Sequence, residues 1–321
     1  MCTAMTFNAD SLYFGRTLDY DFPFDNQIII LPRNYSLNFT NGLSVKNHSA
    51  IIGSGIIVDG YPLLFEGVNE SGLCVAALNF SSNAVYDKPQ DNKENIASFE
   101  FITYILSTCI SVSGAHTKLL GANITDNAFC EKLPPSPLHF IIADKKDCIT
   151  VESTKDGLKI FENPVGVLTN DPTFDIQLFL LNNYSSLSVY NPQNKVFGSF
   201  EAKSFSRGMG ALGLPGDYSS NSRFIRTVFI KNHLSLKEDN VGQFFHALDS
   251  VSIPSGTVIT ENGKEQETQY ACCIDSSRGI YYYVTKENRQ ISAVSLQNEN
   301  LDGENIITYP LIKTQQINRQ N

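Results

Sequence analysis

Apolar and polar positions follow a strand-like pattern over the first part of this chain, from its start to about residue 80. CTAMTF (2–7) alternates, QIIILPRNY (27–35) and AIIGSGIIV (50–58) are rich in β-branched residues, and GLCVAALNF (72–80) is a short apolar run behind a glycine turn. All four predict strands. The pattern returns at PLHFIIAD (137–144), across 147–170, at TQYACCID (268–275) and across 279–296. KDG and SRG turns split the later runs into paired segments, as antiparallel hairpins require.

Helical periodicity fills the intervals. SFEFITYILSTC (98–109) offers Ser98 as an N-cap, and its early glutamate suits the helix dipole. SVSGAHTKLLGAN (111–123) reads as a second helix, and DPTFDIQLFLLNNY (171–184) carries Pro172 where a first turn tolerates it. NSRFIRTVFIKNHL (221–234) and DNVGQFFHALDSV (239–251) repeat the amphipathic spacing. Strands that are apolar throughout need cover on both faces. The expected fold is therefore α+β, a four-layer αββα arrangement with two stacked antiparallel sheets. No linker or repeat divides the chain, so residues 1–321 are expected to form one domain.

Composition narrows the function. A net charge of −9 argues against nucleic acid or an anionic membrane as the main partner. No apolar run approaches the ~20 residues of a membrane span, and the N-terminus lacks the basic-then-apolar order of a secretory signal. The seven cysteines form no CxxC pair or other zinc-ligand spacing. They read as mostly buried thiols in a reducing cytoplasm.

The candidate chemistry begins at Cys2. With Met1 removed, Cys2 would carry a thiol and a free α-amino group. A thiol needs to lose its proton, with a reference pKa of ~8.5, before it attacks. An α-amine, at ~7.7, is a base near neutrality. Arg16 and Asp19 in YFGRTLDYD follow the Cys2 strand after a short turn, and a hairpin would return them alongside it. Asp19 would then hold the α-ammonium and Arg16 would favour the thiolate, although an Arg and an Asp three apart are more often a weak surface pair. Asn79 ends a strand and Asn170 leaves one just before a helix. Each fits an ordinary turn asparagine or an oxyanion donor. Arg223 opens a helix, against the dipole, which points to a ligand or a buried acid. None of the five histidines sits in a local signature for a base; His139 and His246 fit satisfied core positions.

Together these segments resemble the choloylglycine hydrolase family, which contains bile salt hydrolases and penicillin V acylases. The resemblance runs through MCTA, FGRTLDYDF, IILPRNY, GVNESGL, ALNF, GVLTNDPTFD, GLPGDYSSNSRF and YYYVTKENRQISAVSL, nearly the whole chain. It implies an N-terminal nucleophile hydrolase with the αββα fold, initiator removal, amide hydrolysis without metal or organic cofactor, and a cytoplasmic homotetramer. By matching motifs it implies Cys2 as nucleophile, flanked by Arg16 and Asp19, with Asn79 and Asn170 in oxyanion and positioning roles and Arg223 as the arginine after the glycine-rich loop. Ser81 replaces a proline, and Phe140 a tryptophan, of the usual pattern. The implied substrate is a glycine- or taurine-conjugated bile salt, because Asn79 stands where penicillin V acylases tend to have tyrosine. Leu18, Val58, Phe65, Phe129 and Leu133 are the expected apolar contacts for a steroid. Arg16 or Arg223 is expected to offset the leaving group's negative charge. A penicillin V acylase, or a catalytically silent small-molecule-binding protein, are the competing readings.

Overall fold

The computed structural model describes residues 1–235 and 239–321. Two antiparallel sheets carry the fold. The first has the spatial order β10 (Val167–Leu168), β1 (Cys2–Asn8), β2 (Leu12–Tyr20), β11 (Glu267–Asp275), β12 (Ile280–Thr285) and β13 (Ser292–Ser295). The second runs β9 (Gly157–Glu162), β8 (Cys148–Thr154), β7 (Leu138–Ala143), β6 (Cys74–Asn79), β5 (Tyr61–Asn69), β4 (Ile51–Val58), β3 (Gln27–Leu31) and β14 (Ile307–Pro310).

The continuous apolar strands are explained by cover on both faces. In β6, Cys74, Ala76 and Leu78 point into the core shared between the sheets, with Phe14, Ile28, Ile141 and Ile274. Val75 and Ala77 point the other way, against α1 (Phe101–Thr108) and α2 (Val112–Leu119). The outer face of the first sheet packs on α3 (Phe174–Leu181), α4 (Ser220–Lys231) and α5 (Asn240–Asp249) through Phe174, Phe224, Val228 and Phe244. The layers are αββα, as the pattern predicted.

Local details differ. Ser98 does not cap α1: a 3-10 turn, Ser98–Glu100, precedes the helix, and the Ser98 hydroxyl is buried without a partner. The Glu100 carboxylate instead accepts from Ala97 N at 3.1 Å and from Thr40. The second helix stops at Leu119, because Ala122–Thr125 pairs in parallel with Glu94–Ala97 as a small separate sheet. His246 is exposed rather than in the core, since α5 turns its neighbours Phe244, Phe245, Ala247 and Leu248 inward. His139 is fully buried and satisfied by Glu152 and the Thr169 carbonyl. Among the described residues the cysteines form no disulfide, and no helix is long and apolar enough to cross a membrane.

Candidate active site

The site is built on the first hairpin. β1 and β2 pair with Cys2 opposite Leu18 and Ala4 opposite Arg16. Side chains alternate along a strand, so Arg16 and Leu18 share one face of β2, and Thr17 and Asp19 the other. Three residues apart, Arg16 and Asp19 are therefore not a surface pair: they reach the Cys2 region from opposite sides of the sheet, both buried. Gly15 lets the β11 backbone lie close against β2. A Cβ there would lie 2.0 Å from the Cys272 carbonyl oxygen of β11.

On the inner face, Arg16 Nη2 donates to Cys2 Sγ. Its other donors are committed to carbonyls, Nη1 to Ala77 at 2.6 Å and Nε to Thr17 at 3.2 Å. Nη1 also stands 3.6 Å from Glu66 Oε2. Burial opposes the Arg16 charge, but Cys2, Tyr270 and Glu66 outweigh it and hold the guanidinium above its ordinary value.

On the outer face, the Asp19 carboxylate accepts from Thr268 Oγ1 at 2.6 Å and Thr17 Oγ1 at 3.2 Å, and Arg223 Nη1 stands 3.9 Å away. A bulge between Thr268 and Tyr270 in β11 brings Thr268 to Asp19. Arg223, in the first turn of α4, donates to the Cys2 carbonyl at 2.5 Å, Thr3 Oγ1 at 2.6 Å, Asn170 Oδ1 at 2.6 Å and the Tyr218 carbonyl at 3.0 Å. It clamps β1 from below. Both arginines are at most 1% exposed, and each of their nitrogens donates to the protein; of the two, Arg16 lines the cleft that Cys2 also lines.

Asn170, two residues past the end of β10, is likewise engaged. Its Oδ1 accepts from Cys2 N at 3.0 Å, its Nδ2 donates to the Asn79 carbonyl at 2.8 Å, and its own N–H donates to Ser220 Oγ at 2.9 Å. Gln177 of α3 fixes the Asn170 carbonyl at 2.5 Å. Asn79, at the end of β6, differs: its side-chain amide has no hydrogen-bond partner among the described residues, and it lines the same cleft as Cys2.

That cleft has a volume of about 430 Å³. Of the five apolar residues expected to contact substrate, Leu18, Phe65, Phe129 and Leu133 line this cleft and Val58 does not. Val58 sits at the last position of β4 beside the Asp59–Gly60 turn, and Ile56 of the same strand takes the lining position instead. Ser81 is also in the wall, while Phe140 is buried against Phe101 outside it. Met1 is present: its nitrogen donates to the Asp19 carbonyl at 2.7 Å, so the Cys2 nitrogen is here an amide. Burial lowers the Met1 amine below its ordinary value, with Cys2 and Asp19 opposing and the two arginines adding to the effect. Glu66, Thr268, Tyr270, Tyr281 and Gln177 carry no motif that marks them in the sequence as part of the site. The available signal for Glu66 was a lone acid in the apolar strand YPLLFEGVN. Among the described residues, no group of three or more His, Cys, Asp or Glu is placed to hold a metal.

The model of the "Linear amide C-N hydrolases, choloylglycine hydrolase family" matches residues 2–309. A bile salt hydrolase/transferase of Lactiplantibacillus plantarum is 46% identical over 314 residues, covering 97% of each chain. The C2A mutant of a conjugated bile acid hydrolase from Clostridium perfringens superposes with a TM-score of 0.95 at 36% identity over the full length of both chains. A penicillin V acylase from Agrobacterium tumefaciens, at TM-score 0.77 and 18% identity over 96% of this chain and 91% of its own, shares the fold. A cysteine at position 2, held between two buried arginines in the wall of an apolar cleft, thus coincides with similarity over nearly the whole chain, and the chain belongs to the choloylglycine hydrolase family of linear amide C–N hydrolases.

Proposed function

We propose that this protein hydrolyses the amide bond of glycine- or taurine-conjugated bile salts with Cys2 as nucleophile, after loss of Met1. The observation that carries the reading is the cleft: apolar residues of β2, β5 and β6 line it together with Cys2 and Asn79. Such a cleft suits a rigid apolar acyl group.

In this reading the thiol proton passes to the Cys2 α-amine, which Asn170 Oδ1 orients. Sulfur attacks the carbonyl carbon, and the Asn79 amide stabilises the oxyanion. The protonated amine gives its proton to the departing glycine or taurine nitrogen, leaving a thioester. Water then attacks the thioester, the amine taking up its proton, and the bile acid leaves as the sulfur is reprotonated. Asn170 is a positioning residue here, because its Oδ1 and one Nδ2 hydrogen are already spent on the protein.

The competing substrate is penicillin V. Asparagine rather than tyrosine at 79 supports the bile salt. The test is kcat/KM for glycocholate, taurocholate and penicillin V under one condition; a penicillin V value above both bile salts overturns the substrate and leaves the nucleophile standing. A homotetramer and a cytoplasmic location are part of the same proposal. The tetramer is supported by a projecting arm around the Lys195–Phe197/Phe200–Ala202 hairpin, where Val196, Phe197, Phe200, Phe205 and Leu212 are 64–89% exposed. Apolar clusters of this kind mark association surfaces, and a monomer by light scattering would remove that part.

A further inference from the structure

Glu66 lies in the middle of β5, fully buried between the sheets, and is not among the residues lining the cleft at Cys2. Its carboxylate is ringed by donors. Tyr270 Oη on β11 donates at 2.8–2.9 Å to both oxygens, Tyr281 Oη on β12 donates to Oε1 at 2.5 Å, and Arg16 Nη1 on β2 stands 3.6 Å from Oε2. A buried carboxyl facing only donors is built to be ionised. Burial holds its pKa above the ordinary value, although Arg16, Tyr281 and Tyr270 oppose the shift.

Resting on the reading of Cys2 as nucleophile, we propose that Glu66 is a positioning residue that acts through Arg16. It holds the guanidinium plane so that Nη2 meets Cys2 Sγ, and it offsets part of the arginine's charge at the sulfur. A buried acid here would otherwise be a poor choice, since an apolar residue of similar size would fill β5 without desolvating a charge. The offset matters because a thiolate held too strongly is a weaker nucleophile, its reactivity falling as its proton affinity falls. Besides Cys2 and the two tyrosines, Cys272 from β11 faces Arg16 and Glu66, while Tyr20 from β2 and, from the other face of the sheet, Asp19 and Arg223 surround Cys2 and Met1. None of them contacts Arg16 Nη1 with an opposite charge; Glu66 does.

The test reads Cys2 directly. The rate of its alkylation by iodoacetamide is followed by mass spectrometry from pH 5 to 10, with Cys2→Ala as the blank. In Glu66→Gln the uncompensated Arg16 draws the acid limb of the profile to lower pH by about one unit. For glycocholate, kcat falls about tenfold while KM stays within about twofold, because Glu66 is outside the cleft. Glu66→Asp, which retains the charge, keeps the limb near its wild-type position. Tyr281→Phe preserves the packing and removes one donor from the carboxylate. It displaces the limb in the same direction by less, and decides the matter if Glu66→Gln does not fold. A wild-type limb in Tyr281→Phe, or in a folded Glu66→Gln, overturns the proposal. If the wild-type profile equals that of the Cys2→Ala blank, it is the nucleophile reading that has failed, and the role given to Glu66 falls with it.

Discussion

The two asparagines beside Cys2 make opposite predictions. Asn79→Ala removes an amide with no partner among the described residues, on a partly buried side chain facing the cleft. The folded protein loses little, within about 0.5 kcal/mol. If that amide stabilises the oxyanion, kcat falls by ~10²–10³, or about 2.7–4 kcal/mol of transition-state stabilisation. Asn170→Ala removes an acceptor from Cys2 N and from the buried Arg223 Nη2, at 3.0 and 2.6 Å. An unsatisfied buried donor costs about 1–3 kcal/mol, more when charged, so this variant loses stability as well as rate. At ~2.1 cal/mol/K per residue, this corresponds to a melting temperature about 2–4 °C lower. The assays are glycine release from glycocholate at saturating substrate and a thermal melt of each variant. Asn79→Ala turning over within about threefold of wild type, or melting as low as Asn170→Ala, refutes the assignment of a free donor.

Active protein has the mass of the chain without Met1; full activity in protein that retains it removes the amine from the mechanism. Cys2→Ser folds normally and loses at least ~10²-fold in kcat, because a hydroxyl of far higher pKa is poorly served by a weak amine base; near wild-type turnover would place the nucleophile elsewhere. Lys231 supplies a pH test remote from the site. Its Nζ donates to the Val165 carbonyl, and burial pushes it from 10.5 down to about 8. Between those values the unfolded chain binds more protons, so this group adds stability as pH rises through that window, by at most roughly 3 kcal/mol at ~1.36 kcal/mol per pH unit. Lys231→Met abolishes that rise in denaturant titrations at pH 7.5, 9 and 10.5; an unchanged slope shows that Lys231 is not its source.

The layers, the local hairpins and the return of β2 alongside β1 were legible because each rests on local pattern. Period-two alternation set the strands, and the short turn after β1 returned Arg16 to within reach of the sulfur. The opposite faces of Arg16 and Asp19 follow from the same alternation. What stayed hidden depends on long-range register. Glu66 meets Arg16 only because β5 of one sheet packs over β2 of the other, and Thr268 meets Asp19 only through a bulge in β11. Val58 and Ile56 lie on one strand two residues apart, and only the end of β4 relative to the cleft decides between them. Ser98 looked like a cap, but the strand that ends at Ala97 leads into a 3-10 turn whose donors Glu100 takes.

The cluster around Cys2 also has a charge logic that yields one more test. Two buried arginines, Arg16 and Arg223, face two buried acids, Glu66 and Asp19, at 3.6 and 3.9 Å. In the mature chain a thiol and amine, or a thiolate and ammonium, then leave the site formally neutral on both sides of the proton transfer. No net charge is moved into a medium where it would be expensive. The acids therefore matter through their charge and not only their shape. Arg16→Gln strands Glu66 as an unpaired buried carboxylate, and Glu66→Gln strands the guanidinium, each destabilising by about 3–5 kcal/mol. The double variant Arg16→Gln/Glu66→Gln restores neutrality and keeps the volumes close. It is expected to be more stable than the sum of the single losses by about 1–3 kcal/mol in urea titrations, while remaining inactive because nothing then meets the sulfur. Losses that simply add, within about 0.5 kcal/mol, would mean that Arg16 and Glu66 are neighbours without coupling, and the neutral-cluster account would fail.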